Sequence, residues 1–127
     1  MTTPNLFLTY VQDAPEAAAF YGDLFEMEPV FTSPRYIAFE VAPDVLFALW
    51  AGEPEPVGPS AAAVPATPRT SEVGLMLPGS AARIDAVYAE WAAKGVTVVR
   101  EPYDAVFGRT FVIADPDGNL LRVSPVD

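Results

Sequence analysis

The sequence predicts an α+β fold built from two βαβββ modules, and three observations carry that expectation. The order strand, helix, three strands is written twice along the 127 residues. The two helical segments register on each other: Phe20 and Leu24 stand seven and eleven residues after Asp13, as Val87 and Trp91 do after Ser80. Between the modules, residues 52–70 hold five of the fourteen prolines and no apolar periodicity, so they read as a semi-extended surface linker. Each module then has a helix covering one face of its sheet. The opposite face is apolar as well, and it must be covered or must wall a cavity. The length suits a single domain over residues 1–127, with module one at 5–51, the linker at 52–70 and module two at 71–126.

Residues 5–11 (NLFLTYV) form a strand of aromatic and β-branched residues, with Leu6, Leu8 and Tyr10 on one side and Phe7, Thr9 and Val11 on the other. Asp13 is an N-cap, with Pro15 and Glu16 in the first turn of a helix over 13–25. Its apolar stripe is Ala17, Phe20, Tyr21, Leu24 and Phe25, and Pro29 forbids its continuation. Strands follow at 28–32, 35–41 and 45–51, separated by Ser33-Pro34 and Pro43-Asp44. In the second module, 72–77 (EVGLML) is a strand and Pro78-Gly79 a turn. A helix then runs over 80–94 from an N-cap at Ser80, with Ile84, Val87, Tyr88 and Trp91 on one stripe and Gly95 just past its end. Residues 96–100 are a strand that Pro102 ends. Residues 107–124 (FGRTFVIADPDGNLLRVS) are two strands joined at Asp115-Pro116-Asp117-Gly118, where Pro116 presets φ and Gly118 supplies positive φ.

A formal net charge of −10 with only seven scattered basic residues argues against a nucleic-acid partner and against an anionic membrane surface. Cysteine and histidine are both absent. That removes thiol chemistry, thiolate metal sites, the commonest general base and the commonest transition-metal ligand. The first residues, MTTPNLF, lack a basic stretch followed by an apolar run, so no signal peptide is expected. No apolar run approaches the ~20 residues of a membrane helix, and a cytoplasmic protein is the expectation. One residue is out of place: Arg122 is a charge inside the apolar run LLRV. It is either a solvated edge residue or a buried cation that needs a partner.

Asp13 with Phe20-Tyr21 in the first helix, and Asp115-Pro116-Asp117-Gly118-Asn119 before the last strand, resemble the vicinal oxygen chelate superfamily of glyoxalases, ring-cleaving dioxygenases and bleomycin-resistance proteins. The resemblance spans essentially the whole chain. It implies curled mixed sheets around a cavity with the helices outside. In the enzyme branches it also implies a divalent metal held by His and Glu ligands from the first and last strand of each module. Carried onto this chain, those four positions are Leu6, Ala48, Glu72 and Arg122. Only Glu72 suits a hard cation, and a guanidinium repels one. The expectation is therefore no metal, no cofactor and no catalytic residue, with Glu72 and Arg122 forming an ion pair.

Within the superfamily the chain most resembles the drug-binding branch of the phenazine-antibiotic resistance type, in which a tryptophan stacks on the drug. That resemblance implies a homodimer, possibly module-swapped, taking a small planar aromatic molecule. Trp50 lies two residues after Ala48 on the same side, and Tyr10 shares a side with Leu6 and Leu8. The expected ligand-binding residues are Trp50, Tyr10, Leu8, Ala48, Tyr36, Glu72, Tyr103, Phe107, Gly108, Phe111 and Arg122. Stacking contributes roughly 0.5–1.5 kcal/mol per aromatic pair. Burying ~200–300 Å² of ligand surface adds several kcal/mol at ~25 cal/mol per Å². Together these reach the ~8 kcal/mol of micromolar binding without covalent chemistry. Two other readings remain open on the residues: a metal-free enzyme using Glu72, Asp104 or a tyrosine as acid or base, and a regulatory paralogue with no ligand.

Overall fold

Residues 4–52 and 72–126 are described in a computed structural model, and they form the two βαβββ modules as two compact units, Met1–Arg69 and Thr70–Asp127. The linker expected at 52–70 lies, Gly52 apart, outside the described residues.

The first unit contains β1 (Leu6–Tyr10), α1 (Ala14–Phe25), β2 (Phe31–Thr32), β3 (Tyr36–Ala42) and β4 (Val45–Trp50). Its sheet order is β1-β4-β3-β2, with β1 parallel to β4 and the other pairs antiparallel. Asp13 caps α1 as expected: its Oδ1 accepts the Glu16 N–H at 2.8 Å, satisfying one of the helix's free donors. The helix ends at Phe25 as expected, and it is closed by Glu26, which takes the left-handed conformation (φ 53°) and returns its N–H to the Gly22 carbonyl. Ala14, Ala17, Tyr21 and Leu24 are buried against the sheet, and the Tyr21 ring meets Phe47 edge-on at 5.0 Å. Phe20, expected in this core, is only half-buried. The strand expected at 28–32 shrinks to Phe31–Thr32. Pro29 has no N–H to give, and ahead of the strand Val30 makes a bond to the Ala38 carbonyl at 2.8 Å.

The second unit contains β5 (Glu72–Leu77), α2 (Ala81–Ala93), β6 (Thr97–Ala105), β7 (Gly108–Ala114) and β8 (Leu120–Pro125), with sheet order β5-β8-β7-β6. Ser80 stands at the N-cap position of α2, but its side chain makes no capping bond. Ile84 and Trp91 are the buried residues of the helix, while Val87 is half-buried. The β7–β8 turn uses the expected chemistry. The Asp115 carboxylate accepts from the Asp117 N–H, the Asn119 N–H and the Asn119 side-chain amide, each at 2.8 Å, and Gly118 takes φ 87°.

Pro102 corrects the expectation for β6, which does not stop near Arg100 but runs on to Ala105. The strand lies at the edge of its sheet, and the pairing with β7 shifts register between Arg100 and Tyr103. A proline is tolerated there because a bulged edge residue owes the ladder no N–H. Among the described residues no helix is long and apolar enough to cross a membrane.

Candidate functional site

Alternation along paired strands decides which side chains share the face turned away from each helix. In the first unit Phe47 and Leu49 face α1, so Leu46, Ala48 and Trp50 face the other way. Their Cα partners are Leu6, Leu8 and Tyr10 on β1, and Glu40, Ala38 and Tyr36 on β3. Phe31 stands opposite Ala38 and meets the Tyr36 ring at 5.8 Å. The expected residues Leu8, Tyr10, Tyr36, Ala48 and Trp50 therefore share one face. Ala38 and Ala48 form its fully buried floor, Tyr10 is 50% exposed and Trp50 is half-buried. Trp50 is held by a close approach that the sequence does not announce. A Cβ built on Gly52 would overlap Cζ2 and Cε2 of the indole and stand 2.8 Å from its Nε1, so the ring lies flush on bare backbone.

In the second unit the corresponding open face carries Glu72, Gly74 and Met76 of β5, Leu120, Arg122 and Ser124 of β8, and Thr110 and Val112 of β7. Gly74 is the Cα partner of Arg122, which puts Glu72 diagonally within reach of the guanidinium. The expected ion pair forms as a two-pronged fork. Arg122 Nε donates to Glu72 Oε2 at 3.0 Å and Nη2 donates to Oε1 at 3.3 Å. Nη1 donates to the Tyr103 hydroxyl at 3.2 Å and to Thr110 Oγ1 at 3.3 Å, and that hydroxyl donates onward to the Val123 carbonyl at 2.7 Å. These bonds, Glu72 first and Tyr103 second, raise the Arg122 pKa above its ordinary value against the opposing effect of burial. The Phe107 ring centroid lies 6.0 Å from the guanidinium carbon. Thr110, completely buried, was missed by sequence reasoning; its short polar side chain inside an apolar run was the available signal.

Phe111 is a correction. It is the Cα partner of Val123 and faces α2, completely buried, with Tyr88 at 5.3 Å and Trp91 at 5.7 Å. It belongs to the core and cannot line the open face. Gly108 meets a backbone requirement of the hairpin: its φ is 127°, and a Cβ there would stand 2.7 Å from Pro125 Cγ. Asp104, considered as an acid or base, is 82% exposed and turned to Arg109 at 3.4 Å.

At the four former ligand positions, Leu6 and Ala48 offer no donor atom, and both carboxylate oxygens of Glu72 are occupied by Arg122. Among the described residues no three Asp or Glu side chains converge to hold an ion. The residues present do not fit a divalent metal. A groove of about 480 Å³ beside the end of α1 includes Asp23, Glu26 and Glu28 in its lining and none of the expected ligand-binding residues.

The family model of the glyoxalase/bleomycin resistance protein/dioxygenase superfamily matches residues 3–123. The chain belongs to this superfamily. It is 45% identical over 128 residues, 98% of this chain and 93% of its relative, to the phenazine antibiotic resistance protein EhpR of Enterobacter agglomerans. Among solved structures it resembles protein ATC0852 of Agrobacterium tumefaciens, at 30% identity and TM-score 0.76 over 100% of this chain and 99% of that one. A glyoxalase/bleomycin resistance protein/dioxygenase from Nocardioides shares the fold at 22% identity and TM-score 0.73, over 100% of this chain and 85% of the other.

Proposed function

We propose that this protein binds a planar aromatic antibiotic or a similar metabolite and gives resistance by holding it, without a metal and without turnover. The observation that carries the reading is the open face of the first unit, where Trp50, Tyr10, Tyr36 and Phe31 surround a floor of Ala38 and Ala48. Small residues under large rings make a flat apolar seat, which suits a conjugated ring system by stacking and burial. The 45% identity to a phenazine antibiotic resistance protein supports the same ligand class. The Glu72–Arg122 fork supports metal independence, because the one carboxylate at the former ligand positions is already neutralised.

We further propose that the working form is a homodimer. β1 is an edge strand whose Leu6, Phe7, Leu8 and Tyr10 are between 37% and 55% exposed, an apolar edge of the kind that proteins normally cover.

The test is equilibrium dialysis of the purified protein against phenazine, before and after chelator treatment, with the compound recovered and weighed. Saturable uptake at one molecule per chain, unaffected by chelation and with the phenazine recovered intact, supports the proposal. Consumption of the compound, or binding that disappears on chelation, overturns it.

A further inference from the structure

The open face of the first unit carries one charged residue on its paired strands. Along β3 and β4 the rungs of this face are Tyr36–Trp50, Ala38–Ala48 and Glu40–Leu46. Alternation sends Glu40 to the side of Ala38 and Tyr36, while Ile37 and Phe39 between them are buried on the side of α1. Glu40 is exposed, and among the described residues no hydrogen bond or ion pair engages its side chain. The module does not ask for a charge at this place. In the second unit the matching position, two residues beyond the β7 partner of Arg122, is Ala114 opposite Leu120.

Two residues of strand separate each rung from the next, a step of about 7 Å. A ring system lying on the Ala38–Ala48 floor therefore has the Trp50 rung along one margin and the Glu40 rung along the other. A substituent one or two atoms long on that second margin comes within reach of the Glu40 carboxylate. Seating the ring also strips water from the carboxylate. An apolar substituent then leaves the charge unmatched, an acid group repels it, and a hydroxyl offers it one neutral donor. An ammonium or amino group replaces the lost water with charge-assisted hydrogen bonds. The field of a chain of net charge −10 acts in the same sense, drawing cations and repelling anions.

We infer that Glu40 sets ligand specificity at the margin of the aromatic seat, and that the planar compound this protein takes best carries an ammonium or amino group at its edge. This rests on the binding function proposed above, narrows its ligand class, and involves the first unit alone.

The experiment is calorimetric titration of the full chain with aminomethylphenazine, an ammonium at neutral pH, and with its uncharged counterpart hydroxymethylphenazine, substituted at the same end carbon of the ring system. Both are titrated at about 50 mM and about 500 mM salt. The wild type is compared with Glu40→Gln, Glu40→Asp and, as a charge control on α1 across the sheet, Glu16→Gln. The ammonium compound should bind about tenfold tighter than the alcohol at low salt, with the ratio falling at high salt. In Glu40→Gln the ratio should drop to about one or two. Glu40→Asp should keep part of it, and Glu16→Gln nearly all of it. Equal affinities in the wild type, or tighter binding of the alcohol, overturn the inference without any variant having to fold. A ratio that survives Glu40→Gln, or falls as far in Glu16→Gln, also overturns it and leaves the binding function standing. Failure of both compounds and of unsubstituted phenazine to bind the wild type removes the binding function and this inference with it.

Discussion

Replacing Gly52 with alanine should weaken ligand binding while leaving the fold intact. The φ of Gly52 is not in the left-handed region, so its backbone accepts alanine without strain. On the unfolded-state side, Gly→Ala at such a position gains about 0.4–1 kcal/mol of stability. The cost falls on the indole alone. The new methyl would stand 2.8 Å from Trp50 Nε1 and closer still to Cε2 and Cζ2, where ordinary contact needs 3.4–4 Å. The ring must therefore retreat by more than about 1 Å, or swing to another rotamer and give up its seat. A displaced stacking partner loses roughly 0.5–1.5 kcal/mol, which is about a 2- to 12-fold rise in Kd. Titration with phenazine by calorimetry, beside thermal melts of both proteins, reads the two effects separately. A raised Kd with a Tm within a few degrees of wild type is expected. An unchanged Kd would show that the position of Trp50 does not matter for binding.

Three further outcomes follow from the same geometry. Glu72→Gln removes the charge from a pair whose side chains are 26% and 38% exposed, and should cost about 1 kcal/mol, the upper end for partly solvated pairs. Folding raises the Arg122 pKa, so its contribution is complete below the ordinary arginine range and is lost only as pH rises beyond it; the gap between Glu72→Gln and wild type should therefore stay constant from about pH 6 to about pH 10 in denaturant titrations. Phe111→Ala opens a hole beside Tyr88 and Trp91 and should destabilise by about 3–5 kcal/mol in the same assay, a loss inconsistent with a residue that merely lined an open face. Asp115→Ala leaves three turn donors without their acceptor and should cost about 1–3 kcal/mol, read as a lower midpoint with an unchanged denaturant slope.

The residues explain which parts of this fold were legible. β5 was read with its observed bounds because EVGLML sits between turn signals, and the β7–β8 turn was read because Asp-Pro-Asp-Gly-Asn admits few conformations. The Glu72–Arg122 pair was reachable because a charge inside an apolar strand must find a partner. Phe111 was misplaced because FVI is a continuous apolar run, and such a run does not reveal which of its residues face the helix. β6 was cut short because proline ends most strands; only tertiary structure shows that this one lies at an edge with a bulge to spare. Gly52 was hidden for another reason. Its requirement comes from the volume of a ring two residues away, not from any turn that glycine marks.

The central claim is that a flat apolar seat around Trp50 holds a planar aromatic molecule. Titrating phenazine into wild type and Trp50→Ala, with thermal melts as the check on folding, tests it most directly. Saturable binding at one site per chain, weakened tenfold or more in the variant at nearly unchanged Tm, is the predicted result. Wild-type protein that shows no saturable uptake, or a variant that binds as tightly as wild type, would contradict it.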